Sequence, residues 1–131
     1  TLNRILPYAM MYRLCSYILM PRKRNQTSRK IYQREAQKLT RAAYMRWVSL
    51  SKYFIKLLKR FFKTKSSFEN LIIMGGQDYV FLSGARKYAR NQAKSTFIVI
   101  PAVGHICNID GRNVFNNHVI QFFFDNQSAG K

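Results

Sequence analysis

Acidic residues are scarce in this sequence. Its 131 residues include 23 Lys and Arg but only five Asp and Glu, which gives a formal net charge of +18. The imbalance is concentrated in one half. Residues 1–65 contain 17 of the basic residues and a single acid, Glu35, whereas residues 66–131 carry a formal charge of only +2. The surplus predicts either a solvated basic helix face or an anionic partner for the first half, such as phosphate, nucleic acid or lipid headgroups.

Cysteine, histidine and long uncharged apolar runs are also sparse. Cys15 and Cys107 are too few and too far apart for a disulfide framework or a zinc site. A reduced, cytoplasmic protein without metal or cofactor is therefore expected. Residues 5–20 are apolar but short for a membrane span, and Arg13 lies in their middle. Neither a phosphate-binding loop nor a dinucleotide-binding glycine motif is present.

The first half of the chain has the periodicity of helices. Residues 5–20 predict an apolar helix that ends at Pro21, and residues 21–30 predict a polar basic loop. Residues 31–63 predict a basic amphipathic helix, or two helices with a break near Ser49–Ser51. The apolar stripe comprises Leu39, Ala43, Trp47, Leu50, Phe54, Leu57 and Phe61, and the opposite basic face comprises Arg34, Lys38, Arg41, Lys52, Lys56, Lys59 and Lys63.

In the second half of the chain the apolar residues no longer follow a helical period throughout. Residues 70–74 and 95–100 are short apolar runs typical of buried strands, and residues 84–94 and 112–126 predict helices. The order strand, helix, strand, helix predicts an α/β fold with a parallel sheet. Two strands alone rarely form a stable open sheet, so we expect this half to pair with further structure or to be part of a larger sheet.

Two chemically capable side chains follow the two predicted strands. Asp78 comes after Gly75-Gly76 at the end of the first strand, and His105 comes after Gly104 at the end of the second. Because the carboxyl ends of neighbouring parallel strands meet at one sheet edge, we expect these side chains to lie close together. A carboxylate there can fix one tautomer of the imidazole and stabilise its protonated form. Taken singly, each residue fits an ordinary turn or structural role as well.

These residues carry a resemblance to a known family. The segments LIIMGGQDYVF and FIVIPAVGHICNID, followed by an amphipathic helix, resemble the C-terminal part of the α/β-hydrolase family over about residues 69–124. The resemblance implies that Asp78 is the triad acid and His105 the triad base. It also implies that residues 1–65 are part of the helical cap and that residues 66–131 are the C-terminal part of the core.

The third member of such a triad has no counterpart here. The family's nucleophile lies on a G-x-S-x-G turn, and this sequence contains no such motif. Ser83 follows the acid-bearing strand, where the family has no nucleophile, and Cys107 has the character of a small buried apolar residue. Together with a first residue that is Thr1 rather than Met, this predicts a fragment of a serine-type hydrolase of an ester or related acyl bond. Trp47 and Phe54 would then help to cover the acyl pocket.

A different class of function fits the charge. A non-catalytic basic module could bind an anionic membrane surface or nucleic acid through residues 34–63. Nucleic acid is the less favoured partner because the apolar and basic stripes are separated, which leaves no aromatic platform beside the lysines for stacking bases. Exposed apolar strand edges would favour self-association, and an inactive truncated product is a third alternative.

Overall fold

The computed structural model describes residues 7–128, so Ile5 and Leu6, at the start of the first predicted helix, lie outside the described residues. Helices dominate, and two strands form a small sheet. The helices are α1 (Tyr8–Leu19), α2 (Gln26–Gln37), α3 (Arg41–Lys63), α4 (Leu82–Arg90), α5 (Cys107–Asp110) and α6 (Arg112–Ser128), the strands are β1 (Asn70–Gly75) and β2 (Ser95–Ile100), and a 3-10 turn spans Lys23–Asn25. The predicted α/β class is confirmed in this general sense.

The two strands are parallel and lie side by side. Their register pairs Asn70 with Ser95 and Gly75 with Ile100, and α4 provides the connection between them and packs on both. Both strands therefore end at the same sheet edge. Ile100, the last residue of β2, forms a buried cluster with Val103 and Cys107, and Ile73 and Phe115 pack against it. This core fixes the chain that follows each strand.

The predicted loop over residues 21–30 is wrong. The 3-10 turn and the first turns of α2 occupy it. Helix α2 is held there by tertiary contacts. Arg29 donates hydrogen bonds to the carbonyl oxygens of Met20 and Arg22, and the fully buried Ser28 hydrogen-bonds to Asp110 in α5. A stretch with so few apolar residues has no helical hydrophobic period, so its sequence pattern gives little sign of this packing.

The predicted break near Ser49–Ser51 is also misplaced. Helix α3 is continuous from Arg41 to Lys63, and the interruption falls before it, at residues 38–40. Thr40 ends the interruption as the N-cap of α3, because its Oγ1 accepts a hydrogen bond from the backbone N–H of Ala43 at 3.2 Å. A threonine cap of this kind stabilises a helix start by about 1 kcal/mol.

Only one side of the apolar face of α3 packs on the protein. Tyr44 is 7% exposed and contacts the rings of Tyr8 and Tyr12 in α1, and Phe62 contacts Tyr88 in α4. The other side, with Trp47, Leu50, Phe54, Leu57 and Phe61, is exposed. The predicted apolar stripe is therefore largely an outward surface.

Candidate functional site

The acid loop, residues 76–81, begins where β1 ends. The backbone N–H of Gly76 donates to Ile100 O at 2.8 Å, which extends the ladder by one residue, and the N–H of Asp78 then donates to Gly75 O at 3.1 Å to close a turn. Gly75 is required there. A Cβ on it would lie 2.0 Å from Gly104 O and 2.5 Å from Val103 O, so the loops after the two strands touch through backbone alone.

The histidine loop, residues 101–106, begins where β2 ends. Ala102 has a φ of 63°, a left-handed conformation that is costly for a residue with a side chain. The loop is held by two backbone hydrogen bonds: Gln77 N–H to Val103 O at 2.8 Å, and His105 N–H to Leu19 O at 3.3 Å. The second bond places the C-terminal end of α1 against His105. The strained turn is thus fixed by both the sheet and the first helix.

These loops bring Asp78 and His105 together as the sequence predicted. Nδ1 of His105 lies 2.7 Å from Oδ2 of Asp78. The Asp78 side chain is 1% exposed and that of His105 is 37% exposed. The other carboxylate oxygen of Asp78, Oδ1, accepts a hydrogen bond from the backbone N–H of Phe81 at 3.0 Å. A buried carboxylate therefore holds an imidazole whose other edge is open to solvent.

The hydrogen bond defines the tautomer of the ring. An ionised carboxylate can only accept hydrogen bonds, so the proton between the two side chains lies on Nδ1 of His105. In the neutral ring, Nε2 then has a free lone pair and can accept a proton. Among residues 7–128, the His105 side chain hydrogen-bonds to Asp78 alone. The arrangement is chemically a general base oriented by an acid.

Phe81 is part of this site and was missed by the sequence reasoning. Its ring centroid lies 5.1 Å from that of His105, with a 35° angle between the planes, and its backbone N–H bonds to Asp78. The ring restricts rotation of the imidazole from one side. An aspartate shortly before a predicted helix, whose carboxylate can accept from the backbone N–H three residues on, is a signal that could have located the backbone contact.

Neither of the two nucleophile candidates, Cys107 and Ser83, hydrogen-bonds to His105 within residues 7–128. Cys107 is 8% exposed. Burial raises the pKa of its thiol, and this effect outweighs the hydrogen bonds from the backbone of Cys107 and Asn108 that lower the pKa, so the sulfur stays a neutral thiol. Ser83 is exposed on α4, and His118 is half-buried on α6. The buried thiol agrees with the interpretation of Cys107 as a small core residue.

A second polar cluster joins the 3-10 turn and α2 to α5 and to the loop after β2. Asn25 and Ser28 are fully buried. Asn25 Nδ2 donates to Asp110 Oδ2 at 2.8 Å, and Ser28 Oγ lies 2.9 Å from the same oxygen. The Asn25 side chain also lies directly against Gly104, where an added Cβ would be 3.2 Å from Nδ2. The sequence reasoning missed this cluster because its members are more than 80 residues apart.

The described residues contain no group of three or more His, Cys, Asp or Glu side chains placed to hold a metal ion. Within residues 7–128, no helix combines the length and the apolar character that a bilayer crossing requires. Comparisons with protein-family models, with curated proteins and with solved structures find no match.

Proposed function

We propose that Asp78 and His105 are the acid and the base of an α/β-hydrolase that cleaves an ester or related acyl bond. The observation that carries the proposal is the 2.7 Å contact between His105 Nδ1 and the buried Asp78 carboxylate, at the carboxyl edge of two parallel strands. Working groups of open α/β sheets lie at this edge. The resemblance of residues 69–124 to that family supports the same assignment.

In this proposal His105 moves protons and Asp78 orients it. Nε2 takes the proton of an attacking hydroxyl, and the imidazolium that forms is stabilised by Asp78. The deprotonated oxygen bonds to the acyl carbon, and as the ester C–O bond breaks, Nε2 gives the proton to the departing alkoxide. Nε2 then takes a proton from water, the water oxygen bonds to the acyl carbon, and the bond to the first oxygen breaks to release the acid and restore the hydroxyl. Because the sequence has no G-x-S-x-G motif, the attacking hydroxyl comes from outside residues 1–131.

The test uses the protein as it occurs in its source, with whatever sequence flanks these residues. Hydrolysis of short p-nitrophenyl esters is measured beside labelling by a fluorophosphonate, which reacts with activated serines. We expect His105→Ala to lower kcat/KM about a hundredfold or more, since a positioned base contributes about 10²–10⁴ in rate. The matched control is His118→Ala, which replaces the other histidine of residues 1–131 and leaves kcat/KM within about twofold.

Mass spectrometry then locates the labelled residue. A label outside residues 1–131 supports the proposal. A label on a residue within them shows that this chain carries its own nucleophile, and overturns the claim that the attacking hydroxyl comes from outside residues 1–131. Equal activity of the wild type and His105→Ala, or no ester hydrolysis, overturns the assignment of the base.

A further inference from the structure

The exposed side of α3 is a continuous apolar surface. Its members are spaced by three or four residues and are all more than half exposed: Trp47, Leu50, Phe54, Leu57 and Phe61. At about 1.5 Å per residue they cover roughly 21 Å of one helix. We call these five residues the outer stripe. Isolated exposed apolar residues are ordinary, whereas a contiguous stripe with two phenylalanines and a tryptophan marks an interaction surface.

Positive charge borders this stripe. Arg46, Tyr53 and Arg60 are spaced by seven residues, so they fall on one line along α3, and all three are exposed. At about 100° per residue this line runs beside Leu50 and Leu57. The lysines of α3 lie elsewhere: Lys52, Lys56, Lys59 and Lys63 are on the far side of the helix. The outer stripe is therefore flanked by two guanidinium groups and one phenol.

We propose that the outer stripe of α3 docks on an anionic lipid surface, with α3 lying in the interfacial plane. The five apolar side chains enter the boundary between headgroups and acyl chains, which is the usual position of an amphipathic helix that lies on a bilayer. Arg46 and Arg60 then meet lipid phosphates and carboxylates, and Tyr53 lies at headgroup level, where amphipathic rings are favoured. This inference is independent of the proposed hydrolase.

Charge selects this occupant over the two alternatives. A second copy of the chain would bring another +18 against the first, and like charges across an interface oppose association. Nucleic acid would neutralise the arginines but would leave most of the apolar stripe without a partner. An anionic bilayer satisfies both features at once, since it offers negative charge above an apolar layer.

The lysines on the far side contribute less than the arginines at the border. A helix with its side chains is about 10 Å across, and at physiological salt the Debye length is about 8 Å. Charges on the far side are therefore mostly screened from the lipid. This difference separates docking through the outer stripe from a general attraction of the basic half.

The experiment measures co-flotation of the protein with vesicles of phosphatidylcholine alone and of phosphatidylcholine with phosphatidylserine. We expect binding to the anionic vesicles, weakened by added salt. Arg46→Ser with Arg60→Ser should lower affinity about 25-fold, because each border cation contributes about fivefold. Lys52→Ser with Lys59→Ser removes the same charge from the far side and should lower it by less than about fivefold.

A second pair of variants tests the apolar contribution. Phe54→Ser should weaken binding about tenfold, the usual effect of removing one inserted phenylalanine. Phe123→Ser is the matched control, because Phe123 is 61% exposed on α6, whose sequence contains one Arg and no Lys. It should leave affinity unchanged. Circular dichroism of each variant confirms that the helices are retained.

Several outcomes would overturn the proposal. These are equal binding to neutral and anionic vesicles, equal losses in the arginine and lysine pairs, or no effect of Phe54→Ser. A dimer in sedimentation that Phe54→Ser dissociates would assign the stripe to a second copy. Salt-sensitive binding to RNA but not to vesicles would show that the basic residues of α3 bind nucleic acid.

Discussion

Gly75 and Gly104 touch through their backbones, at a point where a Cβ on Gly75 would lie only 2.0 Å from the carbonyl oxygen of Gly104. Gly75 ends β1, three residues before Asp78, and Gly104 directly precedes His105. The close approach of the two loops therefore sets the distance between the acid and the base. A side chain at Gly75 would push the loops apart.

Gly75→Ala should consequently be among the more damaging small substitutions in the protein. The added methyl group meets backbone atoms that cannot move without breaking the turn, so we expect a loss of about 3 kcal/mol in the free energy of unfolding. Urea denaturation measures it. Gly84→Ala is the control, because its Cβ would meet only the Phe62 ring at 3.7 Å. In α4 that change should add up to about 1 kcal/mol of stability. Equal effects of the two variants would contradict the close approach.

Asp110→Ala should loosen the attachment of the 3-10 turn and α2 to α5. The change removes the acceptor of the buried Asn25 amide. Ser28 is not left without a partner, because its Oγ also donates a hydrogen bond to the carbonyl oxygen of Asn25 at 2.9 Å. Loss of one acceptor to a buried donor costs about 2 kcal/mol, which thermal unfolding detects. Asp125→Ala, at an exposed position on α6, should change stability by less than about 0.5 kcal/mol. Matching losses would show that the Asn25–Asp110 contact contributes nothing.

The two cysteines should differ in their reaction with thiol reagents. Only the thiolate reacts, and burial raises the pKa of Cys107 while also blocking access to its sulfur. Cys15 is partly exposed. With Ellman's reagent at neutral pH, Cys107 in the Cys15→Ala variant should react at least about tenfold more slowly than Cys15 in the Cys107→Ala variant. Comparable rates would place the Cys107 thiol at the surface.

Tyr32 should make stability fall at high pH. Burial, with smaller effects from Cys15 and Tyr12, raises the pKa of its phenol to about 12 in the folded protein, against about 10 in the unfolded chain. The folded state then holds this proton more tightly. The stabilisation is complete below about pH 10 and is lost as the pH rises toward about 12.

The free energy of unfolding, measured by urea denaturation across that interval, should fall less steeply in Tyr32→Phe than in the wild type. Tyr53→Phe is the control, since Tyr53 is 69% exposed, and should follow the wild type. Parallel curves for the wild type and Tyr32→Phe would show that this phenol ionises equally in both states.

The strands and the meeting of Asp78 with His105 were predictable because both depend on local patterns. Continuous apolar runs bounded by glycine indicate buried strands, and parallel neighbours must end at one edge. Helix α2 was not predictable in the same way, since Asn25 and Ser28 are held by Asp110 at the other end of the chain. The start of α3 did carry a local signal, the Thr40 cap, but the apolar period continues across it and obscured the break.

The outward position of the α3 stripe shows a further limit of pattern reasoning. Periodicity locates an apolar face but not which side of it is covered. Tyr44 and Phe62 make contact with α1 and α4, while Phe54 stays exposed. The rings of Trp47 and Phe54 therefore face outward in the described structure, where the sequence had suggested the cover of an acyl pocket.

The central claim is that Asp78 acts on catalysis through His105, and a double-mutant cycle of kcat/KM for ester hydrolysis tests it most directly. Asp78→Asn keeps an oxygen for the Phe81 N–H and changes the group facing Nδ1, and melting curves check that each variant folds. If the two residues work as one unit, Asp78→Asn with His105→Ala loses no more activity than His105→Ala alone. Losses that simply add would mean that Asp78 acts independently of the imidazole, and would contradict the account.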